Sequence, residues 1–356
     1  MFSPTRPIRP KRIFLDGYIL PSKYILGPVT KIILLFTFAF CPAFKIVFYS
    51  INAFKICNYT TKVSIFECVH LSLVIIILSL KVLLVLFGFD LDYFEKFTST
   101  IELVSIDTNN NTIKRNRRLN LNIIAICFIS YAILSWIYTL PYRKKLGIIN
   151  VTLLIFAESS ILLGSLFLHN MICNICVCLR AAFNEINAQI AALNETSNQL
   201  FNSFLEIRNL RKKYSHAVRS TQNAEKLFRY FITLFYIEYF SNNIMNIVRL
   251  FGPQAKIEPL YLLAISVQTI RLLVLTYNLV SVNNSSHQGL EDLYELSFKL
   301  NSIHLYHEND IFIARMALSD VGFTFANLFT INNSFITSMF TLSLTIIIAL
   351  ASFIYN

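Results

Sequence analysis

VSIFECVHLSLVIIILSLKVLLVLFGF, residues 63–89, is interrupted by only three ionisable side chains, Glu67, His70 and Lys81. Crossing the hydrocarbon core of a bilayer takes about 20 mostly apolar residues of helix, and this run exceeds that. No water pairs the backbone N–H and C=O groups inside lipid, so such a run has to be helical. Working outward, six more stretches read the same way: Lys31 to Ile51, Leu119 to Leu140, Ile148 to Cys178, Leu227 to Phe251, Ile257 to Val282 and Leu328 to Tyr355. Pro141 stops the third span and Gly252-Pro253 the fifth, because proline cannot continue a helical hydrogen-bond ladder. The chain reads as an all-α, polytopic membrane protein with seven transmembrane helices.

Composition agrees. Of 356 residues, 55% are hydrophobic and only 14% charged, where soluble chains carry about a quarter. The net charge of +11 would suggest nucleic acid in a soluble domain. Here Lys and Arg sit between apolar runs, where they set orientation, and no nucleic-acid partner is expected. With the N-terminus inside, the basic segment 1–30, the Lys114–Arg118 cluster and the stretch Arg208 to Lys226 all become cytoplasmic. The other side holds Lys55, Lys62, Arg143, Lys144, Lys145, Arg249 and Lys256. The asymmetry predicts a cytoplasmic N-terminus, an extracellular C-terminus and a multi-pass protein of the plasma membrane. Two sequons, Asn58-Tyr-Thr60 and Asn150-Val-Thr152, fall on the outer side. Segment 1–30 shows no small-residue cleavage site, so the first span is expected to act as its own signal anchor.

The seven cysteines make no even extracellular framework. Cys41, Cys68 and Cys127 fall in or near apolar spans and read as small hydrophobes. Cys173, Cys176 and Cys178 cluster at a span end, without the fourth ligand that zinc needs. Paired carboxylates at a catalytic spacing and a Gly-rich phosphate loop are likewise missing from the sequence. It reads as a non-enzyme, with no cofactor expected.

Two segments are too patterned to be loops. Residues 179–226 carry Ala182, Ile186, Ile190, Leu193, Leu200, Phe204, Ile207 and Leu210 with no Pro or Gly. That predicts a helical extension of span four, with or without an antiparallel return. The second segment places Leu290, Leu293, Leu300, Ile303 and Phe312 among acidic residues, an amphipathic pattern that packs against a partner helix. The chain thus divides into the N-terminal segment 1–30, spans one to six with their extension over 31–283, an anchor helix over 284–327 and a last span over 328–356.

Along that last span Ser334, Ser338, Thr341, Thr345 and Ser352 fall at spacings of three, four and seven, with Ile348 filling the gap. Such spacings keep one face of a helix. Helix–helix packing is the commoner cause of a small hydroxyl seam; a wall facing water is the other. The Asn332-Asn333 pair and the lack of formal charge would suit a weakly selective cation path, which Ile348 and Phe353 could close by dewetting.

The stretch VGFTFANLFTINNSFITSMFTLSLTIIIALASF, residues 321–353, resembles the C-terminus of insect gustatory receptors. Phe323, Phe325, Ala326, Phe329, Ile331, Asn332 and Ser334 follow that family's lead motif, and Thr345 through Ser352-Phe353 its closing motif. Ile346 stands where the family has Tyr, and Ser352 where it has Gln. The resemblance implies a tetrameric ligand-gated cation channel, self-assembled or co-assembled with related receptors. The last span lines its pore, at Ser338, Thr341, Thr345, Ile348, Ser352 and Phe353, and cytoplasmic helices form a shared anchor. The ligand would be a small-molecule tastant and the permeating species cations. An odorant receptor of the same superfamily is the neighbouring alternative. A G-protein-coupled receptor would need the opposite orientation.

Ionisable groups inside a membrane are costly and mark function or pairing. Glu158, Glu238 and Arg271 lie at similar depths, which allows a Glu238–Arg271 or a Glu158–Arg271 pair. Trp136 and Tyr138 sit near the outer end of span three, as interfacial anchors or as pocket rings. With Asn242 and Gln268, these positions make the candidate ligand site: Trp136, Glu158, Glu238, Asn242, Gln268 and Arg271. Lys81 is expected to snorkel toward the surface.

Overall fold

The computed structural model describes residues 28–56, 62–88, 90, 92–104, 111–139, 147–196, 203–250, 259–300, 302–318 and 321–355. Nearly all of them are helical. The first span is helix α1 (Pro28–Leu35), a π-helical turn at Phe36–Phe40, and α2 (Cys41–Ile56). The second is α3 (Lys62–Leu83), closed by another π-helical turn at Leu84–Gly88. A short helix, α4 (Asp92–Glu102), follows. Four long helices come next: α5 (Asn111–Thr139), α6 (Ile148–Thr196), α7 (Ser203–Leu250) and α8 (Pro259–His287). Then come α9 (Leu290–Lys299), α10 (Ile303–Met316), strands β1 (Thr324–Phe325) and β2 (Phe329–Thr330), and the terminal α11 (Asn333–Tyr355).

Among the described residues, six helical stretches are long and apolar enough to cross a membrane: the first span, α3, α5, α6, α8 and α11. Helix α7, read from sequence as the fifth span, is more polar, because Glu238, Ser241, Asn242, Asn243 and Asn246 interrupt its apolar half. It is also enclosed on several sides. It packs against α3, α4, α6, α8, α10 and α11, and Phe228, Phe231, Phe235, Tyr236 and Tyr239 are all buried. Helices on the periphery show the complementary pattern: Ile126, Ile129 and Ile133 on α5, and Phe156 and Leu163 on α6, stand exposed in stripes suited to lipid.

One close crossing fixes the first span. Gly164 of α6 meets the π-helical turn so tightly that a Cβ there would lie 2.6 Å from Thr37 Cβ and 2.9 Å from Phe38 Cε2.

Beyond their apolar stretches α6 and α7 run on and pack together, and α9 and α10 lie against them. Tyr214, Phe183 and Phe312 form the aromatic centre of this layer, with ring centroids 5.7 and 5.5 Å apart. Asn187 donates to the Ser285 carbonyl at 2.8 Å, and Asn194 donates to Glu295 at 2.9 Å. Arg211 pairs with Glu308 at 2.9 Å. Helix α4 joins the layer through Phe94, Phe97 and Ile101, a buried stripe against α7.

Several boundaries differ from the sequence reading. Residues 284–327 hold two helices and half a β-hairpin rather than one anchor helix. Ile303, expected in the packed stripe, is 80% exposed because it opens α10 at its free end. The last helix starts at Asn333, not Leu328, since the Asn332 side chain accepts the Phe335 N–H at 2.9 Å and caps it. Before it, Thr324 pairs with Thr330 and Phe325 with Phe329. Ala326 and Asn327 turn the hairpin at φ of 51° and 62°, with Leu328 N–H donating to the Phe325 carbonyl at 2.9 Å, as a type I′ turn requires. Cys68 is disulfide-bonded rather than a free apolar thiol, with its partner outside the described residues. Leu200 and the side chain of Phe204 also lie outside them.

Candidate functional site

Two groups of residues stand out: the outward face of α11 and a set of charges and rings inside the bundle.

At 100° per residue, Ser334, Ser338, Thr341, Thr345, Ile348 and Ser352 occupy a sector of about 80° on α11. All six are exposed. The residues that pack onto the rest of the chain are Phe335, Met339, Ile347 and Leu350, the last two against Met245 and its neighbours on α7. Their sector is centred about 160° away from the hydroxyl seam. Only 6% of this span is buried within the chain. Contact with the chain's own helices therefore does not account for the seam. Thr341 donates to the Thr337 carbonyl at 3.0 Å and Thr345 to the Thr341 carbonyl at 2.9 Å. With the proton turned back onto the helix, each hydroxyl shows acceptor lone pairs outward. That chemistry suits cations. Asn332 is engaged in capping, so Asn333 alone of that pair stands exposed. The side chain of Phe353 lies outside the described residues.

Inside the bundle the charges pair otherwise than depth alone suggested. Glu158 takes Lys45 of the first span at 2.5 Å and accepts from Ser135. Glu238 takes Lys81 at 2.7 Å, so Lys81 is buried at 2% exposure and does not snorkel. Neither carboxylate pairs with Arg271. That side chain, 4% exposed, bonds Gln268 at 3.3 Å and rests on rings: its guanidinium carbon lies 3.9 Å from the Phe128 centroid and 4.7 Å from that of Tyr239. Trp136 is 42% exposed and donates to Ser159 at 3.0 Å, as an interfacial anchor would. Asn242 is half-buried one turn beyond Glu238. The candidate ligand residues thus fall into three places: Gln268 with Arg271, Glu238 near Asn242, and Glu158 beside Trp136. Lys45, Phe128, Tyr131, His169 and Tyr239 join them without having been singled out in the sequence. The one signal for Lys45 was its position inside an apolar span.

A third feature links these places to the last helix. Glu225 accepts Arg229 through both oxygens, at 2.5 and 2.6 Å, and Thr324 of the hairpin at 2.5 Å. Thr233 accepts the Ala326 N–H at 2.8 Å. One turn on, Tyr236 meets Phe335 of α11 edge-on at 5.5 Å and shares a hydrogen bond with Thr276 at 2.8 Å.

No protein-family model and no curated protein matches the chain. Solved structures do. The insect olfactory receptor OR5 from Machilis hrabei in complex with eugenol superposes with a TM-score of 0.61 at 14% identity, over 90% of this chain and 96% of that one. A further structure of OR5 gives a TM-score of 0.54 at 14% identity, over 90% and 87%. The chain has the all-helical fold of that receptor.

Proposed function

We propose that this chain is a chemosensory receptor and itself a ligand-gated, non-selective cation channel, of the gustatory type that its C-terminal sequence resembles. The observation that carries the reading is the outward hydroxyl face of α11. A polar, uncharged stripe pointing away from the chain's own packing needs either water or another subunit, and a pore on a symmetry axis supplies both. Four copies around that axis would set Ser338, Thr341, Thr345, Ile348, Ser352 and Phe353 along the conduction path. The packed layer of α6, α7, α9 and α10 is the natural anchor between subunits. Seven spans, with α7 as the fifth, put the N-terminus in the cytoplasm and the C-terminus outside the plasma membrane. The disulfide at Cys68, near the end of α3 assigned to the outer side, supports that orientation, since disulfides persist in oxidising compartments. A small tastant would enter among α5, α7 and α8, near Gln268, Arg271 and Glu238.

Calcium imaging and voltage clamp of cells expressing the chain alone, against a panel of tastants, test the reading. Ligand-evoked cation current is the expected result. The fold of OR5 favours a second reading, an odorant receptor subunit. In that case the chain alone stays silent and current appears only with a co-expressed receptor. Glycosylation at Asn58 with an externally accessible C-terminus is expected in both cases and excludes a G-protein-coupled topology.

A further inference from the structure

Arg271 pairs with none of the described carboxylates. The two in its surroundings are taken, Glu158 by Lys45 and Glu238 by Lys81. Both pairs cancel, so Arg271 remains as a net positive charge inside the bundle. Its position is roughly 18 Å along α8 from Pro259 at 1.5 Å per residue. Stacking on aromatic faces recovers part of the lost hydration. Taking an ion out of water costs more than that gain even after relaxation. Among the described residues no anion balances Arg271.

The donors show where an anion belongs. Arg271 lies over the Tyr239 ring, and the Tyr239 hydroxyl lies 3.4 Å from Nδ1 of His169. Of the two neutral tautomers of His169, the site takes the one in which Tyr239 donates to Nδ1. The imidazole proton of His169 then sits on Nε2. His169 is fully buried, and neither its Nε2 nor the Nε of Arg271 meets a partner. The His169 ring is 6.4 Å from that of Phe128 and 6.5 Å from that of Tyr239, the same two rings on which Arg271 rests. Two buried N–H groups, one of them cationic, thus share one aromatic shell with no acceptor among the described residues.

We propose that this shell is a binding site for a small organic carboxylate. One carboxylate oxygen accepts from Arg271 Nε, the other from His169 Nε2, and Phe128, Tyr131 and Tyr239 cover the apolar body. The proposal rests on the receptor reading above and gives its ligand a chemical class.

Thermal unfolding of the purified full chain in detergent tests it, in sodium sulfate with benzoate, phenylacetate or hexanoate. The matching amides run beside them, and a separate series adds chloride. At least one carboxylate should raise the midpoint saturably while its amide does not. Arg271→Gln should weaken that binding at least tenfold, and His169→Phe and Arg271→Lys should each weaken it by less. Those two variants carry the comparison if Arg271→Gln does not fold. Equal shifts for acid and amide, no shift with any carboxylate, or a shift with chloride alone would overturn the proposal. The assay needs no current. Carboxylate binding without any evoked current upholds the site and contradicts the channel, whereas current without a carboxylate effect does the reverse.

Discussion

Lys45 and Lys81 show how a single residue's meaning depends on a neighbour that the sequence does not name. Depth along a helix is legible from the 1.5 Å rise, and it put Glu158, Glu238 and Arg271 at similar levels. Which of them meet depends on helix order and rotation, properties of the packed whole. The outcome gave each carboxylate a lysine and left the arginine to aromatic rings. Because Lys81 is buried, Lys81→Met should leave Glu238 unmatched and cost about 3 kcal/mol, by the usual penalty for breaking a buried pair. The double variant Lys81→Met/Glu238→Met should recover most of that loss. Thermal unfolding in detergent measures both, and additive losses would show that the two side chains are not coupled. At the hairpin tip, Ala326 holds a positive φ that an L side chain adopts at a cost. Ala326→Gly should therefore stabilise the fold by up to about 1 kcal/mol, seen as a higher unfolding midpoint.

The elements divide by how local their causes are. The hydroxyl seam of α11 and the amphipathic stripes of α6 and α9 were legible because 3.6-residue periodicity is written in consecutive residues. The hairpin was not: Thr324 to Thr330 contains no Gly or Pro, and its turn uses Ala326 and Asn327. The hairpin is held from outside, by Glu225 and Thr233 of α7. It ties the helix that carries Tyr239 to the helix that carries the seam. Glu225→Gln removes the charge that binds Arg229 and Thr324. It is expected to reduce evoked current severalfold while leaving ligand affinity within about twofold, since charge-assisted bonds are worth about 1.5–3 kcal/mol. Paired current and binding measurements check this, and a parallel loss of both would assign Glu225 to general stability. The crossing at Gly164 is a packing matter: Gly164→Ala must displace Thr37 and Phe38. A loss of about 1–3 kcal/mol, typical of overpacking, should appear as a lower unfolding midpoint.

At the scale of the molecule, membrane class and helical fold followed from composition and run length alone. The central, most polar helix shows where that approach ends. Helix α7 carries Glu238 and three asparagines in its apolar half because neighbouring helices surround it. The same logic applies in reverse to α11, whose Ser338, Thr341 and Thr345 stand exposed on the side away from its packed residues. Cysteine scanning from Ser338 to Ser352, with a water-soluble thiol reagent applied during evoked current, tests that arrangement directly. Modification and block should follow the sector of Ser338, Thr341, Thr345, Ile348 and Ser352 and spare Met339, Ser343, Ile347 and Leu350. Block with no helical periodicity, or a reactive face centred on the packed residues, would contradict a pore lined by the last helix.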